Sequence, residues 1–108
     1  MTDTPSILGQ NLPDPGIDTN LFTVPSNGQV QFSIFIANQL NNMDEITIAI
    51  IPAGGAETTA NFIAFSTPIM PNAVMAFSGL FMNSGDRVQV QSKNGTSSFT
   101  ATGILTTA

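Results

Sequence analysis

Apolar and polar residues alternate along several short stretches of this chain. The clearest stretch is residues 29–37, in which every second side chain is large and apolar: Val30, Phe32, Ile34 and Ile36. Because neighbouring side chains of a β-strand point to opposite faces, this period of two predicts a half-buried strand. Phe35 stands on the otherwise polar face of that strand, which makes it a candidate contact residue.

Six further stretches have the composition of strands. Apolar and β-branched residues are concentrated in residues 21–24, 45–51, 61–66, 73–81, 87–91 and 96–105. Clusters of Gly, Pro and Asn separate these stretches, as turns separate strands. Asn94-Gly95 suits the two central positions of a type I′ turn, so it predicts a hairpin between the last two stretches.

The chain has no segment with the length and period of an amphipathic helix. Short strands divided by turns are typical of an all-β protein. A single sheet would leave its apolar face in water, so we predict an antiparallel β-sandwich of about seven strands in two packed sheets. The strand order stays open between an immunoglobulin-like and a jelly-roll arrangement, because pairing joins residues that are distant in sequence.

The first sixteen residues differ from the rest of the chain. They contain three prolines and two glycines and show no regular period. Because proline lacks a backbone donor and fixes φ, we predict that residues 1–16 form an extended N-terminal arm and that residues 17–108 form the sandwich domain. The arm is either a loose terminus or a segment that lays its large apolar side chains on a neighbouring subunit: Ile7, Leu8 and Leu12.

Charged residues are scarce. They make up 8% of the chain, against roughly 25% in ordinary soluble domains. The net charge is −5 with only two cations, Arg87 and Lys93, which argues against binding to nucleic acid or to an anionic membrane. A neutral surface is typical either of some extracellular and viral proteins or of a surface covered by partners.

The chain contains no His, Cys, Trp or Tyr. A Ser-His-Asp triad and a metal centre of His or Cys ligands are therefore excluded. Asp44 and Glu45 are adjacent at the start of a strand, so their side chains should point to opposite faces of a solvated strand end. We expect neither an enzyme nor a protein that holds a metal or cofactor. The N-terminal residues do not have the pattern of a secretory signal, so synthesis in the cytoplasm without export is expected.

Five successive segments carry a resemblance to known proteins. They read LFTVPSNGQVQFSIFIAN, DEITIAIIPAGGA, NFIAFSTPI, GLFMNSGDRVQV and SSFTATG. This succession resembles a group of small virion proteins of tailed phages. The matching positions are Leu21–Pro25, Gly28, Asn38, Ile46–Pro52, Ile63–Phe65, Pro68, Gly85-Asp86 and Phe99–Gly103. The chain departs from the group in its lack of Tyr and in its proline-rich N-terminal segment.

The resemblance implies a structural protein of the phage particle, most simply a decoration or cement protein on the capsid exterior. Its expected partners are the major capsid protein and other copies of itself, as a homotrimer. Candidate interface residues are Ile7, Leu8, Leu12, Phe35 and Phe81. A tail-, neck- or fibre-associated position in the virion is the alternative. A carbohydrate-binding module is a further one, although the lack of Trp and Tyr removes the usual stacking rings.

Overall fold

The computed structural model describes residues 2–107, which form eight strands and one turn of 3₁₀ helix, Thr59–Asn61. The strands are β1 Thr2–Asn11, β2 Thr19–Thr23, β3 Gly28–Asn38, β4 Asp44–Ile51, β5 Phe62–Ile69, β6 Val74–Asn83, β7 Arg87–Ser92 and β8 Ser97–Thr107. They form two four-stranded sheets. All observed pairs are antiparallel, which confirms the predicted β-sandwich.

The strand order is that of a jelly roll. The first sheet has the order β1-β8-β3-β6, and the second sheet has the order β2-β7-β4-β5. The first strand of the chain thus pairs with the last, the second with the seventh, the third with the sixth and the fourth with the fifth. This is the pattern of one long antiparallel ribbon wrapped into two sheets, and it settles the choice that the sequence left open.

The core lies between the two sheets and follows the predicted alternation. Val30, Phe32, Ile34 and Ile36 of β3 are all buried, as the period of two requires. They meet an equally apolar inner face of the second sheet: Phe22, Ile46, Ile48, Val88 and Val90. The rings of Phe22 and Phe32 pack edge to face across the sheets, with their centroids 5.2 Å apart.

The eighth strand is β1, which lies in the segment expected to be an arm. Thr2–Asn11 pair with β8 along nearly its whole length, from Thr2 opposite Thr107 to Asn11 opposite Phe99. Leu8 packs against the core from this strand. The division into an arm of residues 1–16 and a domain of residues 17–108 therefore does not fit the structure. Pro5 is compatible with this pairing because β1 is an edge strand, where one backbone N–H can be missing without a lost ladder bond.

Asn94-Gly95 makes a turn, but the predicted hairpin is wrong. The strands on either side, β7 and β8, belong to different sheets, so the turn carries the chain across the end of the sandwich. Gly95 has a φ of 71°, whereas Asn94 is not in the left-handed region that a type I′ turn requires at both positions. The local sequence identified a turn correctly, but the pairing partners of β7 and β8 come from distant parts of the chain.

Candidate interaction surface

The outer face of the first sheet is built from rows of directly opposed residues. In antiparallel sheets such residues point to the same face. Phe35 of β3 lies opposite Thr100 of β8 on one side and Ala76 of β6 on the other. Two rows further along β3, Ile104 and Phe81 lie on either side of Gln31. All four strands thus contribute side chains to one continuous surface, which we call the first-sheet face.

Five large apolar side chains on the first-sheet face are exposed: Ile7, Phe35, Val74, Phe81 and Ile104. Phe81 is 69% exposed and Val74 71% exposed, so their rings and methyl groups stand largely in water. Between them lie threonine, serine and glutamine side chains from β3 and β8. Such a mixture of aromatic, aliphatic and uncharged polar groups is typical of a surface that becomes buried in a complex.

Charge is distributed very unevenly between the two sheets. Within the described residues, the strands of the first sheet contain one charged side chain, Asp3, which accepts a hydrogen bond from the Thr106 hydroxyl at 2.8 Å. Both cations lie at the second sheet. Arg87 stands in β7, and Lys93 forms an exposed ion pair with Glu45 at 3.2 Å. The chain thus presents one neutral side and one charged side.

The first-sheet face is not flat. At one end it has a depression of about 480 Å³, whose lining includes Gln29, Gln31, Phe81, Asn83 and Ile104 together with the carboxylates of Asp3 and Asp86. A smaller hollow lies near the middle of the face, between Gly79 of β6 and Gly103 of β8. A protruding side chain of a partner can enter such hollows, and the amide groups around the larger one can donate and accept hydrogen bonds.

The structure places only some of the predicted interface residues on this face. Ile7, Phe35 and Phe81 lie there together, from three different strands. Leu8 does not, because it turns inward and packs on the core. Leu12 follows the end of β1 and is half exposed outside the sheet.

Two exposed residues of the face were not predicted as interface residues from the sequence: Val74 and Ile104. Each alternates with residues that point inward, as Phe35 does in β3. Alternation along the strand could therefore have indicated both residues. In hydrophobic runs such as residues 73–81, however, no polar side chains mark which positions point outward. The one-residue shift in pairing between Phe77 and Leu80 also changes which residues of β6 point outward.

Asp44 is the most deeply buried charged group in the described residues, at 1% exposed. Its carboxylate accepts hydrogen bonds from the Ser97 hydroxyl at 2.7 Å, the Asn94 backbone N–H at 2.9 Å and the Ser92 hydroxyl. Burial by itself raises the pKa of Asp44, but these hydrogen bonds together outweigh burial and hold the pKa below its ordinary value. Glu45 points the opposite way, as predicted, but the prediction that both carboxylates are solvated is wrong for Asp44.

The hydrogen bonds of Asp44 connect β4 to three other parts of the chain. Asp44 begins β4, and its hydrogen bonds reach the end of β7, the turn after it and the start of β8. Beside it, Asn38 donates to the carbonyl of Asn42 at 2.6 Å and accepts from the Thr96 hydroxyl at 3.0 Å. Among the described residues, every buried side-chain polar atom has a hydrogen-bond partner. The cluster fixes the loops at one end of the sandwich.

A second pair of carboxylates is brought together by the fold. Burial and the nearby carboxylate of Asp18 raise the pKa of Glu57, while Arg87 acts in the opposite direction. Both acids are exposed, and neither lines the depressions described above. No local sequence pattern indicates this pair, because the two residues are far apart in the chain.

Residues 2–107 contain no group of three acidic, His or Cys side chains arranged to hold a metal ion. No helix in that range has the length and hydrophobicity needed to cross a membrane. No family model, curated protein or solved structure matches the chain. The first-sheet face is thus the feature of the described structure that most clearly points to a function.

Proposed function

We propose that this chain is a non-enzymatic structural protein of a tailed-phage particle, which attaches to the outside of the capsid shell through the first-sheet face. The observation that carries the proposal is the concentration of exposed apolar side chains on a sheet whose strands hold one charged residue. The resemblance of the strand and turn sequences to small virion proteins supports the phage particle as the setting.

Removing polar or charged side chains from water on binding costs free energy. Burying a charged side chain without a partner reduces the binding free energy by several kcal/mol. Threonine and glutamine side chains can replace their hydrogen bonds to water by hydrogen bonds to the other protein. Burying apolar area contributes roughly 25 cal/mol per Å². Covering Phe35, Phe81 and Ile104 is therefore favourable. The carboxylates that would oppose it, Asp3 and Asp86, lie at one end of the face, and each already accepts a hydrogen bond.

The rest of the molecule fits a coating role. The second sheet faces the other way and carries Arg87, Lys93 and Glu45, which suit a side that remains in solvent. Its strand β5 exposes two large apolar side chains, Ile63 and Phe65, against five on the first-sheet face. The sandwich itself is stiffened by its apolar core and by the hydrogen bonds around Asp44. A rigid body with one neutral side and one charged side can lie on a repeating shell and still keep the particle soluble.

The proposal is tested by locating the protein in particles and by measuring its binding to shells. Purified phage particles would be labelled with an antibody against the chain, and empty shells would be sedimented with the purified protein. The variant Gln31→Lys places a cation in the middle of the first-sheet face. Its matched control, Gln89→Lys, makes the same change on the outer side of the second sheet.

We expect label over the whole head and at least a tenfold loss of shell binding for Gln31→Lys, with Gln89→Lys close to the wild type. A tenfold change corresponds to about 1.4 kcal/mol. Label confined to the tail or neck would support the alternative position in the virion. Absence of the protein from particles, or equal binding by both variants, would contradict the proposal.

A further inference from the structure

Strand β6 is an edge of the first sheet that contains a β-bulge but no charge or proline. It runs for ten residues and is hydrogen-bonded on one side only, to β3. Edge strands of soluble proteins usually carry charges, prolines, β-bulges or short lengths that hinder pairing with another chain. The other edges do so here: β1 contains Asp3 and Pro5, β5 contains Pro68, and β2 has five residues. No proline or charged residue lies in β6.

The inner side chains of β6 also remain incompletely covered. Met75, Phe77 and Leu80 point into the sandwich and pack on the core, but all three are only half buried. They lie at the open edge, where no further strand of the first sheet covers them. A strand added beside β6 would cover this margin and continue the core outward.

A β-bulge in the middle of β6 makes the order of its outward and inward residues symmetric about the centre of the strand. Between the pairs Phe32–Leu80 and Ile34–Phe77, β6 uses one residue more than β3, and Gly79 at this point has a φ of 74°. The extra residue reverses the alternation of faces half-way along the strand. Before the bulge the outward residues are Val74 and Ala76, and after it they are Phe81 and Asn83.

This pattern matches itself when the strand is turned end for end. If two copies of β6 run antiparallel with an axis between Ser78 and Gly79, Ala76 lies opposite Phe81 of the second copy on the outer face. On the inner face, Phe77 lies opposite Leu80 and Met75 opposite Met82. In the four pairs on either side of the central Ser78–Gly79 pair, outward residues thus meet outward residues and inward residues meet inward residues. In the pair of Ala76 with Phe81, a small side chain meets a large one. Without the bulge, the same register would place outward residues opposite inward ones.

Electrostatics also favour a second copy at this edge. The chain carries a net charge of −5, so two copies repel each other at most approaches. Neither β6 nor β3 beside it contains a charged residue. The nearest acid along the chain is Asp86, whose carboxylate already accepts the backbone N–H groups of Ala53 and Asn83 at the strand end. The β6 edge is a side on which two copies can meet without bringing like charges together.

We propose that β6 pairs antiparallel with β6 of a second copy, which joins the two first sheets into one continuous eight-stranded sheet. The contact is a closed two-fold interface, so it gives a dimer and not a filament. The two neutral faces become one larger face. This inference stands on the edge strand alone and does not depend on the phage setting.

The first test is the mass of the full chain in solution, by size-exclusion chromatography with light scattering. We expect a species of twice the 11.3 kDa chain mass that dissociates on dilution. The variant Ala76→Lys adds a charge to the edge strand, and Thr100→Lys adds the same charge in the same row of the sheet but on the central strand β8. We expect Ala76→Lys to weaken the dimer by about tenfold or more and Thr100→Lys to leave it nearly unchanged.

The second test checks the register. Because the chain has no cysteine, the double variant Ala76→Cys/Phe81→Cys introduces the only thiols. Directly opposed residues of neighbouring strands are close enough for a disulfide, so mild oxidation should give a covalent dimer in high yield. The single variants Ala76→Cys and Phe81→Cys place each thiol opposite a different side chain and should give far less.

A monomeric or trimeric wild type would overturn the proposal, as would equal weakening by Ala76→Lys and Thr100→Lys, which would indicate contact through the face. Equal cross-linking by single and double variants would also overturn it. Shell binding is measured separately with Gln31→Lys, so a failed dimer and a failed attachment to shells are distinguishable.

Discussion

At the scale of single residues, Asp44 links three segments of the chain through one carboxylate. Replacing it with Asn keeps the size but puts an amide NH₂ where hydroxyl and N–H groups now donate. Because buried donors are then left without an acceptor, we expect Asp44→Asn to lower the free energy of unfolding by about 2 kcal/mol. Urea denaturation of both proteins measures this difference.

The adjacent Glu45 provides the control for this prediction. Its ion pair with Lys93 is exposed, and surface pairs contribute little to stability. Glu45→Gln should therefore change the unfolding free energy by less than about 0.5 kcal/mol. If Asp44→Asn proved as stable as Glu45→Gln, the buried hydrogen bonds would not hold the loops together.

The contribution of Asp44 also has a defined pH dependence. Its pKa in the folded chain is lowered from the ordinary value of 3.8, so ionised Asp44 favours the folded state. This stabilisation is fully present above pH 3.8 and is lost as the pH falls through the lower folded value. The advantage of the wild type over Asp44→Asn should therefore shrink in acid, and denaturation curves recorded over that range measure it.

Gly103 shows how closely two strands can approach when one lacks a side chain. A Cβ atom at this position in β8 would lie 2.1 Å from the carbonyl oxygen of Gln31 and 2.7 Å from the Cα of Phe32. Both are backbone atoms of β3, so the strand itself would have to move. We expect Gly103→Ala to cost about 3 kcal/mol of stability by thermal or urea unfolding.

The neighbouring residue separates this effect from a general sensitivity of β8. Thr102 points outward on the first-sheet face, opposite Ser33 and Ile7. Thr102→Ala should therefore stay within about 0.5 kcal/mol of the wild type. Similar losses for Gly103→Ala and Thr102→Ala would contradict the close contact of β8 with β3.

At the scale of the elements, alternation together with apolar and β-branched composition between turn clusters was sufficient to identify seven of the strands and the inner face of β3. Period-two patterns depend on neighbouring residues, which a single sequence displays directly. Strand β1 was not predicted because Pro5 and Gly9 obscure any period within it. Its strand conformation comes from pairing with β8, about a hundred residues further along the chain. The same cause hid the partners of β7 and β8 and the meeting of Asp18 with Glu57.

The role of β1 as a strand can be tested at two adjacent residues. Leu8 packs on the core, whereas Ile7 points to solvent and is 65% exposed. Because a buried leucine contributes about 1.5–3 kcal/mol, we expect Leu8→Ala to lower the unfolding free energy by about 2 kcal/mol and Ile7→Ala to leave it almost unchanged. Equal stability of the two variants, measured by urea denaturation, would show that the segment is a detached arm.

At the scale of the whole molecule, the separation of charge between the two sheets determines how binding responds to salt. At 0.1 M ionic strength, interactions between exposed charges more than about 10 Å apart are largely screened, whereas buried apolar contacts change little. We expect binding to shells through the first-sheet face to change less than about threefold between roughly 0.05 and 0.5 M salt. A sedimentation assay over this range measures it, and a steep loss of binding would indicate the charged second sheet as the contact.

The place of β8 in the first sheet also affects how the chain reaches this structure. β8 lies between β1 and β3, yet it comes last of the eight strands in chain order. The first sheet therefore cannot close during synthesis until Ser97–Thr107 have been made, and until then β1 and β3 lack their common neighbour. Contacts between such distant segments make folding slow, typically milliseconds to seconds for proteins of this class. Throughout that interval, apolar strands with few charges remain open to pairing with other chains, which makes rapid synthesis at high concentration a risk for aggregation.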